Sequence, residues 1–155
     1  MTKTEVAGAG VALKFMPSAL DIRTDTELDA GRRRVFDALL HIAAWWPDCV
    51  RPGAKVALEP RVGGRFFENC DDGCGTLLGQ VSRLLTPEEF VIEGSFGLDQ
   101  PACAVWGVQL EPAGAQTTIL HGRYRAFGAF DDEARVIAVN DWEARYTALA
   151  RYVAA

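Results

Sequence analysis

The sequence predicts an α+β fold in which one curved antiparallel sheet holds a long C-terminal helix against its concave face. Three observations predict it. Residues 19–29 alternate Leu20, Ile22, Thr24, Thr26 and Leu28 with Asp21, Arg23, Asp25, Glu27 and Asp29, the period of a strand with one dry and one wet face. Further strand-like runs at residues 76–84, 90–96, 102–111 and 116–127 follow one another at short intervals, separated by turn formers. From about residue 131 the period becomes helical, with Val136, Val139, Trp142, Tyr146, Leu149 and Val153 three or four apart. The sheet and the helix each carry an apolar face, and each can cover the other. The same spacing also fits a plain sheet-plus-helix sandwich without a cavity.

The elements follow in order. Gly31 ends the first strand, and residues 32–44 place Val35, Phe36, Leu39, Ile42 and Ala43 at helical spacing before Pro47 stops the helix. A short strand at residues 55–59 leads through Pro60-Arg61-Val62-Gly63-Gly64 into the strand at 65–70, and Asp71-Asp72-Gly73 supplies a hairpin turn. Thr86-Pro87-Glu88-Glu89, Asp99-Gln100-Pro101 and Pro112-Ala113-Gly114 separate the later strands, so an antiparallel meander is expected. Asp131, Asp132 and Glu133 put negative charge at the start of the last helix, where its dipole favours it. Residues 1–17 read as a flexible leader and 18–155 as one domain.

Composition limits the function. The chain has 155 residues, 49% of them hydrophobic and 24% charged, which is the make-up of a globular domain. A formal charge of -5 argues against nucleic acid or an anionic membrane as partner. The basic run Arg32-Arg33-Arg34 is read as a solvated helix face. No apolar run approaches the roughly 20 residues that span a bilayer, and the N-terminus lacks a signal-peptide core, so a cytoplasmic protein is expected. Cys70 and Cys74 have no second tight pair near them, and with Cys49 and Cys103 they read as ordinary thiols; no metal or cofactor is expected. Gly8-Ala9-Gly10 follows no strand and opens no helix, which removes a nucleotide-loop reading.

The segment from Pro60 to Glu68 carries the most chemical information. Phe66 and Glu68 leave the same face of their strand, so an inward Phe66 brings a carboxylate inward with it. Burying a carboxylate is costly unless it is hydrogen-bonded, paired or hydrated, which makes Glu68 a candidate functional acid. An exposed Glu68, or one paired with Arg65, stays open as the alternative.

The helix Val35-Phe36-Asp37-Ala38-Leu39, the step Trp45-Trp46, the run Gly63-Gly64-Arg65-Phe66-Phe67-Glu68, Gly75-Thr76-Leu77, and Leu110-Glu111-Pro112 before Thr117 form an ordered set that ends with Trp142 and Leu149. In this order they resemble the START-like (SRPBCC) superfamily, in particular its branch related to the activator of heat-shock-protein-90 ATPase and to polyketide cyclase-like proteins. The resemblance covers the chain from about residue 19 onward. It implies a helix-grip fold with a deep cavity between sheet and helix, used for apolar or amphipathic small molecules. Residues 77–90 are longer than the usual pattern, which leaves the register of Gln80 and Ser82 open.

The candidate ligand-binding residues are Trp45, Trp46, Phe66, Glu68, Phe96, Trp106, His121, Trp142 and Tyr146. Their flat rings suit a hydrophobic ligand, and the indole N–H groups and the phenol suit its orientation. Glu68 and His121 are the catalytic candidates, because a carboxylate and an imidazole are the pair that proton transfer near neutral pH needs. The leading expectation is a binder of a small hydrophobic molecule. The alternatives are a cyclase, dehydratase or isomerase using Glu68 and His121, and a module that binds a chaperone or pairs with a second copy through its sheet.

Overall fold

The computed structural model describes residues 4–6, 9–11, 15–49 and 51–155. Near the N-terminus β1 (Thr4–Val6) and β2 (Ala9–Val11) pair as a separate two-stranded antiparallel sheet. The rest of the expected leader up to residue 14 lies outside the described residues.

The main sheet is built by a meander that its first strand closes. Strands β4 (Lys55–Leu58), β5 (Arg65–Asn69), β6 (Gly75–Leu85), β7 (Glu89–Gly94), β8 (Cys103–Gly114) and β9 (Thr117–Gly128) pair each with the next, all antiparallel. Strand β3 (Ser18–Leu28) then lies against β9, giving the order β3-β9-β8-β7-β6-β5-β4. Between β3 and β4 run α1 (Arg32–Leu40) and a 3-10 turn at Ile42–Ala44. The long helix α2 (Asp132–Ala154) ends the chain, and the whole is a helix-grip fold.

Period-two alternation sorts the sheet into two faces. On β9, Thr118, Leu120, Tyr124 and Ala126 are buried; on β8, Ala104, Trp106, Val108 and Leu110 are. Register aligns them into a row across the inner face, Ile22, Tyr124, Trp106, Ile92 and Val81. The helix α2 covers this face with Trp142, Tyr146, Leu149 and Val153, spaced by three or four residues. Its start is held by Asp131, whose side chain accepts the Ala134 N–H at 2.8 Å.

Three expectations need correction. Val136 and Val139 belong to the periodic stripe but are 60% and 39% exposed, because no described residue covers them; full burial begins at Trp142. The helix expected over 32–44 breaks at His41 into the 3-10 turn, and Ala43 faces solvent. Arg34 does more than face solvent: its guanidinium donates to the Val153 and Ala155 carbonyls, each at 2.9 Å, and so caps the C-terminus of α2.

The Gly63-Gly64 turn behaves as its residues require. Gly63 has φ +79°, and a Cβ on Gly64 would collide with the Glu59 carbonyl. Arg65 donates to the Glu59 carboxylate from its backbone N and its guanidinium, each at 2.9 Å, which drops the Glu59 carboxyl to about 2. The open register of β6 resolves through irregularities: Gln80 pairs with Arg65 and Glu93, and Ser82 sits at a register shift between Val81 and Arg83. Among the described residues no helix is long and apolar enough to cross a membrane.

Candidate functional site

Between the sheet and α2 lies a continuous layer of aromatic rings. Trp106 is its hub, with ring centroids 4.9 Å from Phe90, 5.0 Å from Trp142, 5.6 Å from Trp46 and 6.5 Å from Phe66. Tyr124 lies 4.8 Å from Trp142 and 5.5 Å from Phe96, and Phe96 closes back on Phe66 at 6.0 Å. Most of these contacts are edge-on or tilted, the arrangements that ring quadrupoles favour. Seven of the sequence candidates meet here: Trp45, Trp46, Phe66, Phe96, Trp106, Trp142 and Tyr146. Trp45 is the outlying member, since its indole N–H donates to the Ala38 carbonyl at 2.7 Å and fixes it to α1.

One polar contact crosses the centre of this layer. The Trp106 indole N–H donates to the Tyr146 hydroxyl at 3.1 Å. That hydroxyl rests on Gly122, where a Cβ would collide with it, and the Thr24 hydroxyl lies beside it. Burial pushes the Tyr146 phenol up and the Tyr124 phenol up to about 12, so both are neutral across the physiological range.

The layer reaches solvent at Trp46 and Phe96. Over the rim lies Arg145, its guanidinium 4.6 Å from the Trp46 ring centroid and 4.6 Å from that of Trp142. The Asp48 carboxylate grips it with bonds of 3.2 and 2.9 Å. Phe96 has φ +52°, a left-handed conformation rarely adopted by bulky side chains, and its N–H is held by the Leu78 carbonyl at 2.8 Å. Recesses of about 360 to 470 Å³ open on the described surface, but those four lie on the outer face of the sheet, at its edges and beside α1; none enters the aromatic layer.

Glu68 faces the same side as Phe66 and is 2% exposed. Its carboxylate accepts the Arg51 backbone N–H at 3.3 Å. Cys49 is near enough that burial first, and the Glu68 charge second, push its thiol up. The carboxylate therefore ties down the chain after Asp48, the same segment that grips Arg145.

His121 is a correction. It points to the outer face, because the inward positions of β9 are 118, 120, 122, 124 and 126. There its two ring nitrogens lie 2.7 Å from Asp25 and 2.8 Å from Glu111. Glu68 and His121 thus lie on opposite faces, on strands with β8, β7 and β6 between them, and do not form an acid–base pair. Strand alternation decides this, and the apolar set at 120, 124 and 126 was the signal that makes 121 an outward position.

Three members of the site escape the sequence reading. Tyr124 was legible from the same alternation. Phe90 was legible as the partner of Val108 once the β7–β8 register is known. Arg145, one position before Tyr146, carries no sequence signal, because only the place where α2 crosses the Trp46 segment brings its side chain to the rim.

The architecture is that of a helix-grip protein. No family model matches the chain, and no curated protein matches it. Solved structures do. An uncharacterised protein from Rhizobium leguminosarum superposes with a TM-score of 0.68 at 14% identity, over 91% of this chain and 98% of that one. Protein CV1439 from Chromobacterium violaceum gives 0.62 at 21% identity, over 86% and 96%. A norcoclaurine synthase point mutant from Thalictrum, in complex with a transition-state analogue, gives 0.57 at 12% identity, over 92% and 97%. These likenesses show the fold.

Proposed function

We propose that the protein binds a small, flat, apolar or amphipathic molecule within the aromatic layer, entering past the rim formed by Trp46, Phe96 and Arg145. The observation that carries this reading is the arrangement of that rim. A ring network that begins at fully buried Trp106 runs without a break to half-buried Trp46 and Phe96, and is capped by a guanidinium anchored to exposed Asp48. A flat ligand replaces one ring face with another, so entry asks for movement of Trp46 and Arg145 and leaves the sheet in place. The left-handed Phe96 fits the same reading, since backbone strain concentrates where ligands are gripped. Norcoclaurine synthase of the same fold takes a transition-state analogue, which agrees with small-molecule use of this architecture. The finer expectation of a kinship with polyketide cyclase-like proteins rests on the ordered motifs from Val35 to Leu149. Glu68 acts here through position: it holds the segment that holds Arg145.

The test is a fluorescence titration with the neutral probe 1-naphthol, read beside native mass spectrometry of the purified protein. Saturable quenching of tryptophan emission is expected, with affinity about 10-fold weaker or worse in Trp46→Ala, the scale of losing one aromatic contact at a site centre. Absence of saturable quenching together with absence of a co-purifying molecule would overturn the reading. In that case a protein-binding module becomes the better account. One observation favours it: Val136, Ile137 and Val139 leave the first turns of α2 exposed and apolar.

A further inference from the structure

The outer face of the sheet carries a recess of about 360 Å³ that belongs to no part of the aromatic layer. Its floor is Gly107 on β8. Register places Val91 on one side of Gly107 and Arg123 on the other, with Val105 two residues along the same strand. Each of the neighbouring outward positions raises a side chain, and Gly107 raises none, so a notch remains.

The fold does not require this glycine. Its φ lies outside the left-handed range, and a Cβ there would meet only a methyl of Val91, at an ordinary 3.9 Å. Gly122 on the adjacent strand shows the contrast, since a Cβ at that position would collide with Tyr146. A glycine inside a strand weakens it and often marks close approach of a ligand or another chain. With packing and backbone both satisfied by alanine, what Gly107 supplies is room.

Charge around the notch is uneven. At one end Arg23, Arg123 and Arg125 surround a single carboxylate, Asp21. Arg123 holds it by two bonds of 3.1 and 3.0 Å, and Arg23 lies 3.7 Å away. The Arg123 bonds first, then the charges of Arg123, Arg23 and Arg125, keep the Asp21 carboxyl below its usual range. Arg125 has no hydrogen bond or ion pair of its own among the described residues. Even counting the exposed Glu93, which lies across Val105 from Arg125, three guanidinium groups against two carboxylates leave this end positive on a chain whose net charge is -5. At the other end the acids are engaged, Asp25 by His121 and Glu89 by Arg83 at 3.3 Å.

We infer that this notch is a second binding site, for a small carboxylate with a short apolar body. The carboxylate meets the planar fork of Arg125, a geometry that suits it. The body lies over Gly107 between Val91 and Val105. The site is independent of the interior reading, because it uses the opposite face of the sheet.

The experiment is a 15N amide NMR titration of the full chain with benzoate, its neutral isostere benzamide, and phenyl phosphate. Benzoate is expected to shift the amides of Val105, Gly107 and Arg123 saturably, and benzamide to leave them in place. Arg125→Gln should weaken benzoate about 10-fold, the worth of one charge-assisted contact. Gly107→Leu, which fills the notch, should abolish the shifts with its unfolding midpoint retained. If Gly107→Leu lowers the midpoint, Gly107→Ala takes its place and is expected to weaken benzoate at least about 3-fold, roughly the effect of one misplaced methyl group on binding. Equal shifts with benzamide, shifts centred on Trp46 and Trp142, or benzoate binding untouched by the filled notch would each overturn the inference. Tighter binding of phenyl phosphate than of benzoate would overturn the assignment to a carboxylate.

Discussion

The two faces of β9 are one residue apart in sequence and opposite in chemistry. Tyr124 points inward, where burial pushes its phenol up to about 12 and keeps it neutral. Arg123 points outward, where the Asp21 carboxylate beside it raises an already high value further. Two positions before Arg123, His121 also points outward, and its imidazole is pushed up by its hydrogen bonds to Glu111 and Asp25. The inner face thus favours neutral forms through desolvation, and the outer face favours charged forms through pairing. The two glycines at the centre of the sheet divide in the same way. Gly122 is required by a ring packed on it, whereas Gly107 is left open to solvent.

The strongest way to break this comparison is to remove the ring that α2 contributes. Trp142→Ala should destabilise the protein by about 3 to 5 kcal/mol, as truncation of a large buried aromatic does. A denaturant titration reads this directly. An unchanged midpoint would mean that the aromatic layer is not the core of the fold.

The glycine pair comes next. Gly122→Ala forces a Cβ against the Tyr146 hydroxyl and should cost about 1 to 3 kcal/mol, the range for overpacking. Gly107→Ala should be neutral or stabilising by up to about 1 kcal/mol, because a mid-strand glycine is a conformational cost. Thermal unfolding of the two variants side by side tests the division. Equal losses would erase it.

A smaller effect is expected at the rim. Arg145→Gln removes the cation from between Trp46 and Trp142 and should cost about 1 kcal/mol, since cation–π contacts and half-exposed ion pairs are both weak. Its clearer readout is tryptophan emission, which should shift as Trp46 loses its cover. A spectrum identical to the unaltered protein would place Arg145 outside the mouth.

The smallest effect is that of pH on His121. Its folded value is raised, so its contribution to stability is fully present below the unfolded value near 6.5 and is lost as pH rises through the folded value. His121→Gln should therefore lower the unfolding midpoint more at pH 6 than at pH 9. The loss should stay small, because the side chain is 41% exposed. A difference that grows toward pH 9 would contradict a folded value raised by these two carboxylates.

Much of the fold was legible because short-range periodicity records which face of an element is dry. Alternation marked β3 and β9, the Gly63-Gly64 turn marked the β4–β5 hairpin, and spacing marked α2. Phe66 and Glu68 shared a face by geometry alone. Val136 and Val139 show the limit of that signal: they continue the helical stripe, yet they stay exposed. His121 shows a second limit, since alternation gives two faces and the choice between them depends on what packs above each.

What the sequence by itself determined, then, was the set of elements, their order and the pairing of residues on common faces, because these depend on neighbours two to four positions away. Tertiary structure alone decided which polar groups meet. Arg145 reaches Trp46 and Asp48 across about a hundred residues of chain, with the Asp48 contact spanning 97 positions. Trp106 finds Tyr146 across 40, and His121 finds Asp25 across 96. Such contacts are set by the register of the sheet and the crossing of α2 over it. No local pattern encodes them, because the packing of the whole chain determines both.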